Sequence, residues 1–452
     1  MFSRILVANR GEIAVRIVRA AHELGIEAVA IYSTADADAL HVRLADRSVC
    51  IGPPAATDSY LRIPNVIAAA ATTGCDALHP GYGFLAENEA FAEACADNDL
   101  VFIGPSPSVM GRLGDKVEAK AEMRKAGVPL VPGTDGAASL DDARRAAEDV
   151  GYPLLLKAAA GGGGKGMRLV ADPDELDDAY AAAAAEAEAA FGNGSLYVER
   201  AVSPTRHVEI QVLCDTAGGV LTLGERECSI QRRHQKLIEE SPSPALTPET
   251  REAMESTVAA ACEAIGYLNA GTFEFLVGPD GAFFFIEVNC RLQVEHPVTD
   301  LVTGVDIVRK QIEIAAGEPL ARTGRAPRAG HAIEIRINAE DPAQGFAPAP
   351  GTVTRFRPPL GPGVRVDTAI EEGAAIPPFY DSMIAKVIAH DETRAAAIAR
   401  MIRALEELQV AGIPTTRELA LDVLRSEGFA KGEYSTSYLA EMEDRLPSIA
   451  SA

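Results

Sequence analysis

The chain reads as an α/β protein of several domains that opens with a doubly wound unit, and three observations carry that reading. Strand and helix patterns alternate from the first residues onward, as a parallel sheet with crossover helices requires. The 452 residues exceed what one ordinary core organises. The composition is 47% hydrophobic and only 5% aromatic with no tryptophan, which is that of a globular chain built on Ala, Val, Leu and Ile and not of a disordered one.

SRILVAN forms a buried strand, GEIAVRIVRAAHELG a helix with Ile13, Ile17, Ala21 and Leu24 on one face, and IEAVAIY the next strand. VIAAAATTG, DALHP, NEAFAEACADN and LVFIG continue the alternation, so the first domain is expected over residues 1–114. The turn ANRGEIA lacks the GxGxxG that seats a dinucleotide pyrophosphate, so the shape is architecture without that ligand. Residues 132–203 spell a compact insert of helix, strand, glycine loop, strand, helix and strand. Ser139 with Asp142, and Asp172 with Pro173 and Glu175, mark its helix starts. PGTDG and SPT flank it as hinges, so it is expected to swing as a lid within a central domain over residues 115–330. A last segment over residues 331–452 mixes strands, helices and Pro/Gly breaks.

Charge and processing signals narrow the function classes. Lys and Arg number 42 against 65 Asp and Glu, a formal charge of −23, which opposes an extended grip on nucleic acid or anionic lipid. MFSRILVANR has too short an apolar run for a secretory signal, and no stretch is long enough to span a membrane. Seven cysteines, odd in number, scattered and without CxxC, indicate neither a disulfide framework nor zinc and fit a reducing cytoplasm.

KAAAGGGGKGM, residues 157–167, sets four glycines between lysines. It is not a Walker loop, because Ala159 and Gly166 stand where that pattern needs Gly and Ser or Thr. Bare backbone N–H groups can nonetheless surround phosphate oxygens, and Lys157, at the end of the apolar strand YPLLL, needs an anion to meet. A plain flexible turn is the competing reading.

AGTFEFLVGPDGAFFFIEVNCR reads as a hairpin about GPDG. Symmetric pairing sets Glu274 opposite Phe285 and leaves Glu287 as its diagonal neighbour on the same face, about 7–8 Å away. Two such carboxylates repel unless a cation lies between them, so Glu274, Glu287 and Asn289 form a candidate Mg²⁺ set. If the chain stays extended, Arg291, Gln293 and Glu295 continue that face, bringing cation, amide and carboxylate together beside the metal. His296 is expected to be structural. RHVEIQV and IEIRIN alternate His207, Glu209 and Gln211, and Glu334, Arg336 and Asn338, against apolar residues. The basic run ERECSIQRRHQK is the local exception that would hold an anion in so acidic a chain.

KAAAGGGGKGM, HVEIQVL, ERECSIQRRHQK, GTFEFL, FIEVNCRLQVEHPVT, RINAEDP and HPGYGFLAEN, together spanning nearly the whole chain, resemble biotin carboxylase of the ATP-grasp superfamily. The resemblance implies a doubly wound N-terminal domain, an ATP-grasp central domain with a mobile lid, and a C-terminal mixed α+β domain. It also implies ATP-dependent carboxylation of biotin on a carrier protein by bicarbonate through carboxyphosphate, as the first half-reaction of an acyl-CoA carboxylase, with Mg²⁺ or Mn²⁺ bound. Lys116, Lys157, Glu199, His207, Gln231 and His234, with Gly162, Gly163 and Gly164, fall on nucleotide positions. Lys236, Arg291, Gln293, Val294 and Glu295 fall on the bicarbonate pocket, Glu295 as the base. Arg336 matches the residue that stabilises the enolate of biotin. Partners would be a biotin carboxyl carrier protein, carboxyltransferase subunits and a second copy in a homodimer. Cys290 and Pro362 depart from the family, the latter where a bulky aromatic helps some dimers. The runners-up are another ATP-grasp ligase acting on an amine and a silent nucleotide-binding regulatory protein.

Overall fold

The computed structural model describes residues 1–134, 139–159, 166–233 and 235–442. Its N-terminal part is a parallel sheet in the order Arg47–Gly52, Glu27–Ser33, Arg4–Val7, Ala77–His79 and Val101–Phe102. Ile5, Leu6 and Val7 of the central strand are fully buried, as an apolar run covered on both faces must be. Helix Gly11–Glu23 buries Ile13, Ile17 and Ala21 as its spacing predicts, while Leu24 falls at its C-cap. The edge strand Arg47–Gly52 leaves no apolar signature, since only Ile51 of RSVCIG is buried. At the carboxyl ends of the middle strands, Asn9 Nδ2 donates to the carbonyls of Pro80 (2.7 Å) and Tyr82 (2.8 Å) and fastens two loops together. Gly81 is required there, because φ is +65° and a Cβ would meet Asn9 Nδ2 at 2.9 Å.

The insert is a small layer of three antiparallel strands, Arg168–Val170, Leu154–Ala158 and Leu196–Arg200, backed by helices Leu140–Val150 and Leu176–Phe191. Ala143, Ala147, Ala183 and Ala187 of the helices meet Leu154, Leu156 and Val198 in a core of its own. Ser139 and Asp142 form the expected reciprocal capping box. The second start differs: Pro173–Glu175 is a 3₁₀ turn and the α-helix begins at Leu176, Glu175 reaching back to the Ala171 N–H at 3.0 Å. Gly162, Gly163 and Gly164 of the glycine loop lie outside the described residues.

A large sheet carries the remainder. Its main strands run Phe283–Asn289, Asn269–Val277, Arg206–Cys214, Val220–Arg232, Gln235–Ser241, His331–Asn338, Met383–Asp391 and Val364–Thr368, each antiparallel to its neighbour, and the short strand Gly324–Arg325 pairs parallel with Val220–Arg232. The sheet is therefore continuous across the expected boundary at residues 330/331, with Ile238 paired to Ile335. Helix Pro248–Ile265 seals Val208, Ile210, Phe273 and Phe275 through Met254, Val258 and Ala261. Further along, helix Arg394–Glu407 covers Ile333, Ile335 and Ile337 through Met401 and Leu405. Each such large apolar side chain contributes about 1.5–3 kcal/mol on burial. The opposite, polar-bearing face of the sheet is also enclosed, by the N-terminal domain, the insert and helix His296–Thr303. Among the described residues no helix is long and apolar enough to cross a membrane.

Candidate active site

Where the carboxyl end of the parallel sheet, the insert and the polar face of the large sheet meet, they leave a cleft of about 1330 Å³. Its wall includes Lys116, Lys157, Glu199, His207, Gln231, Lys236, Glu274, Glu287, Asn289, Arg291, Gln293, Val294 and Arg336. His234 lies outside the described residues.

The insert supplies one wall. Asp115 caps helix Lys116–Lys125 by accepting from the N–H groups of Val117 and Glu118, which sets Lys116 on its first turn and Lys120 one turn on. Lys157 Nζ lies 2.5 Å from one oxygen of Glu199, and Lys120 takes the other. Burial pushes the Glu199 carboxyl up, but Lys157 and Lys120 outweigh it and hold it below its ordinary value. Lys120 also rides 4.1 Å over the ring of Tyr197. Two ammonium groups, one from the insert and one from the helix before it, thus line the cleft.

The hairpin differs from its expected register. Glu274 pairs directly with Glu287, not with Phe285, and Thr272 with Asn289. The turn adds one residue to the second strand, since Val277 pairs with Phe283, and an irregularity between Glu274 and Phe275 adds another. A single slip turns a side chain to the other face, and two slips restore it. Glu274 and Glu287 therefore share a face, as cross-strand neighbours about 4.5–5.5 Å apart at Cβ. Glu287 stands exposed in the cleft, while Glu274 is buried and heavily partnered. Its Oε1 accepts from Asn289 Nδ2 (2.8 Å), Gln293 Nε2 (3.1 Å) and Lys236 Nζ (3.0 Å), and its Oε2 lies 2.8 Å from His207 Nε2. Burial pushes Glu274 up, yet Lys236 and His207 hold it far below the usual carboxylate range. Glu287 moves the other way: although its tip is open to the cleft, the surrounding walls strip water from it and the charge of Glu274 repels it, both raising it. Two carboxylates and an amide oxygen on one wall, one carboxyl raised by the other, form a donor set that fits a hard divalent cation.

Beyond Asn289 the strand ends, so the expected extended run through Arg291, Gln293 and Glu295 is a turn leading into helix His296–Thr303. The three side chains converge all the same. Arg291 reaches Asn289 Oδ1 at 2.9 Å and Gln293 Oε1 at 3.1 Å, and its Nε rests 2.8 Å from Glu87. Val294 turns its carbonyl to the buried Lys386 at 2.8 Å. Glu295 is fully buried, 2.6 Å from Lys236 Nζ and 3.0 Å from Arg336. Burial raises its carboxyl, but Lys236, Arg336 and Arg226 outweigh that and keep it ionised. Lys236 also meets Glu209 at 2.6 Å, so one ammonium joins three carboxylates. His296 is structural as expected, its Nδ1 2.9 Å from the Gln293 carbonyl.

Other expectations are corrected by packing. The basic run is only partly aimed at the cleft. Arg226 is buried, 2.5 Å from Glu209 and donating to Gln211, Thr272 and Thr299, whereas Arg232, stacked 3.7 Å over Phe346, and Arg233 line the cleft. Gln231 and Lys236 reach the cleft because they face each other across the hairpin tip, next to Arg233 at φ +48°. Gln231 Nε2 lies 3.4 Å from His207 Nδ1. Gln211 turns inward to the Gly271 carbonyl. Lys120 and Glu239 join the site without a motif of their own to point to them, and Glu87 joins it from HPGYGFLAEN, a motif to which the sequence alone assigns no role. For Lys120 the four-residue spacing from Lys116 is the one signal the sequence holds.

Three family models match the chain: "Biotin carboxylase, N-terminal domain" over residues 1–110, "Carbamoyl-phosphate synthase L chain, ATP binding domain" over 115–323 and "Biotin carboxylase C-terminal domain" over 334–441. A Nostoc biotin carboxylase is 53% identical over 98% of this chain and 99% of its own. One of the pyruvate carboxylase subunits of Methanothermobacter thermautotrophicus is 52% identical over 98% of this chain and 90% of its own. A crystal structure of the biotin carboxylase domain dimer of Hydrogenobacter thermophilus 2-oxoglutarate carboxylase, in complex with MgADP, ADP and bicarbonate, superposes with a TM-score of 0.92. It is 48% identical, with 98% of each chain covered.

Proposed function

This chain belongs to the biotin carboxylase family, enzymes of ATP-dependent biotin carboxylation, and on that premise we propose how its residues divide the chemistry and which carboxylase it serves. Lys116, Lys157, Glu199, His207 and Gln231 bind the nucleotide, together with His234 and Gly162, Gly163 and Gly164. Lys120, facing the cleft beside Lys157, adds a second charge for the phosphates. Glu274, Glu287 and Asn289 would hold Mg²⁺ or Mn²⁺, which when bound neutralises charge on the triphosphate.

Bicarbonate lies against Arg291, Gln293, Val294 and Lys236, and the carboxylate of Glu295 takes its proton. A carboxylate held so low is a weak base on its own. An incoming anion changes that, because it claims part of the charge of Lys236 and Arg291 and so raises the proton affinity of Glu295. The deprotonated bicarbonate oxygen then attacks the terminal phosphorus of ATP, giving carboxyphosphate and ADP. Carboxyphosphate hydrolyses unless water is kept out, which assigns the insert over residues 132–203 the role of a closing lid. Carboxyphosphate breaks down to CO₂ and phosphate, the phosphate takes the N1′ proton of biotin while Arg336 offsets the oxyanion charge that develops, and N1′ then attacks the CO₂.

The observation that carries this reading is the unbroken chain of contacts from the Glu274–Glu287 pair through Lys236 and Gln293 to Arg291, Glu295 and Arg336. Arg336→Ala tests it: nucleotide affinity stays within about twofold while biotin carboxylation falls about 10²–10³-fold. Near-normal turnover overturns it. The biotin is carried on a partner protein, and the carboxyl group passes, through a carboxyltransferase, to acetyl-CoA or another acyl-CoA in lipid metabolism. The Methanothermobacter relative supports a second acceptor, pyruvate. Identification of the biotinylated protein and the transferase that copurify with the chain decides between them. The Hydrogenobacter dimer supports a homodimer here, Pro362 notwithstanding.

A further inference from the structure

Behind Arg336 lies a pair of carboxyl groups with too few donors. Glu239 and Glu334 are fully buried and directly opposite each other on strands Gln235–Ser241 and His331–Asn338. Glu239 Oε1 takes Arg336 at 2.6 Å from Nε and 2.5 Å from a terminal nitrogen. Among the described residues its Oε2 has no hydrogen-bond donor, and neither oxygen of Glu334 has one. If both groups were ionised, Glu334 would be a buried charge without a hydrogen-bond donor and Glu239, though paired with Arg336, would keep one oxygen unsatisfied. One proton on Glu334 satisfies an oxygen on each side of the pair.

The surroundings decide which residue carries it. Arg336, on the strand of Glu334, is taken up by Glu239 and Glu295. Lys386, on the strand beyond, is taken up by Glu12 (3.1 Å), the Val294 carbonyl (2.8 Å) and Asp367 (3.9 Å). Across from Glu334 on that side stands Ile388, and helix His296–Thr303 covers the spot with Val298 and Val302. The titratable groups of the helix, His296 and Asp300, lie 3.8 Å from each other, Asp300 also meeting Arg365 at 3.0 Å. Glu295 faces the pair from the turn before the helix and adds negative charge. His331 and Glu240, neighbours on the same two strands, pair with each other at 2.6 Å. So Lys386 and Arg336 act on Glu334 only from beyond ion-pair distance, each closer to other acceptors, whereas Glu239 holds Arg336 directly.

We infer that Glu334 carries a proton in the folded enzyme and donates it as a hydrogen bond to Glu239 Oε2, fixing the carboxylate that orients Arg336. Glu334 is thus a positioning residue, acting two side chains away from the substrate. Burial raises its carboxyl well above the ordinary value, and with Glu239 and Glu295 it outweighs the lowering by Lys386 and Arg336. The hydrogen bond is present while Glu334 is protonated and is lost as pH rises through that raised value.

The inference rests on the role proposed for Arg336, and the test separates the two. Steady-state kinetics of biotin carboxylation over a pH series compare the wild type, Glu334→Gln and Glu334→Leu, with Arg336→Ala alongside. The amide of Glu334→Gln still donates, so kcat stays within about threefold of wild type and the alkaline fall owed to Glu334 disappears. Glu334→Leu removes the donor and lowers kcat about ten- to a hundredfold, the weight of one hydrogen bond to a charged group, with the KM for ATP unchanged. Equal losses in Gln and Leu, or none in Leu, overturn the inference, while an active Arg336→Ala overturns the role of Arg336 itself. If Glu334→Leu does not fold, infrared spectroscopy of the wild type decides. A protonated-carboxyl stretch that vanishes in Glu334→Gln supports the inference, and its absence from the wild type refutes it.

Discussion

Replacing Lys236 by methionine keeps the length of the side chain and deletes one charge from among three buried carboxylates. Lys236 Nζ lies 2.6, 3.0 and 2.6 Å from Glu209, Glu274 and Glu295, with 12% of its side chain exposed. A charge pair at 4 Å is worth about 4 kcal/mol at the effective dielectric of such a site, and breaking a buried pair costs about 3–5 kcal/mol. Both routes give about 4 kcal/mol, a large share of the stability of an ordinary domain. With a urea slope of about 2 kcal/mol/M the unfolding midpoint drops about 2 M. The pH dependence follows from proton binding. Burial pushes Glu274 and Glu295 up, but Lys236 holds both low, so their stabilisation is full above the ordinary carboxylate pKa and fades as pH falls through the lowered values. Without Lys236 the folded state binds those protons more readily. The deficit of the variant is therefore greatest at neutral pH and shrinks toward about pH 5. Urea unfolding of both proteins at the two pH values measures it. A midpoint shift below about 0.5 M, or the same shift at both pH values, refutes the reasoning.

Other consequences are as direct. Glu287→Gln removes a charge from the proposed cation site and raises the Mg²⁺ needed for half-maximal ATPase at least about tenfold, read from a Mg²⁺ titration at saturating ATP. Lys120→Ala deletes one of the two ammonium groups on Glu199 and raises the KM for ATP about tenfold with little change in unfolding midpoint, separable by kinetics and urea titration. Phe273→Ala, at a fully buried ring between sheet and helix, destabilises by about 3–5 kcal/mol without altering the KM for ATP, seen in the same two assays.

Much of the architecture is legible in the sequence because periodicity reports burial. The first strand and helix, the capping box at Ser139 and the alanine-rich helix all leave local signals. The edge strand Arg47–Gly52 does not, because five of its six residues are not buried. The polar faces of the large sheet mislead in a different way. Alternation suggests one wet face, yet Glu209, Gln211 and Glu334 are fully buried under other domains, and no pattern within a strand shows what a distant segment will cover. Glu274 and Glu287 illustrate parity: symmetric pairing predicts the wrong partner, two slips cancel, and the shared face remains. Arg291, Gln293 and Glu295 group through an extended strand in the sequence, whereas a turn brings them together in the fold. Glu239 enters only with tertiary contacts, since a lone acidic residue in a sequence is more often a solvated one, while Glu87 sits in HPGYGFLAEN, a motif without an assigned role, and Lys120 has only its spacing from Lys116.

The central claim is that Glu274 and Glu287 face one way and hold the metal–nucleotide beside a pocket for a one-carbon anion. A crystal structure with MgADP and bicarbonate tests it most directly. The account predicts density for the cation bridging the two glutamates and for bicarbonate against Arg291 and Lys236, next to Glu295. A cation bound elsewhere, or bicarbonate away from those side chains, contradicts it.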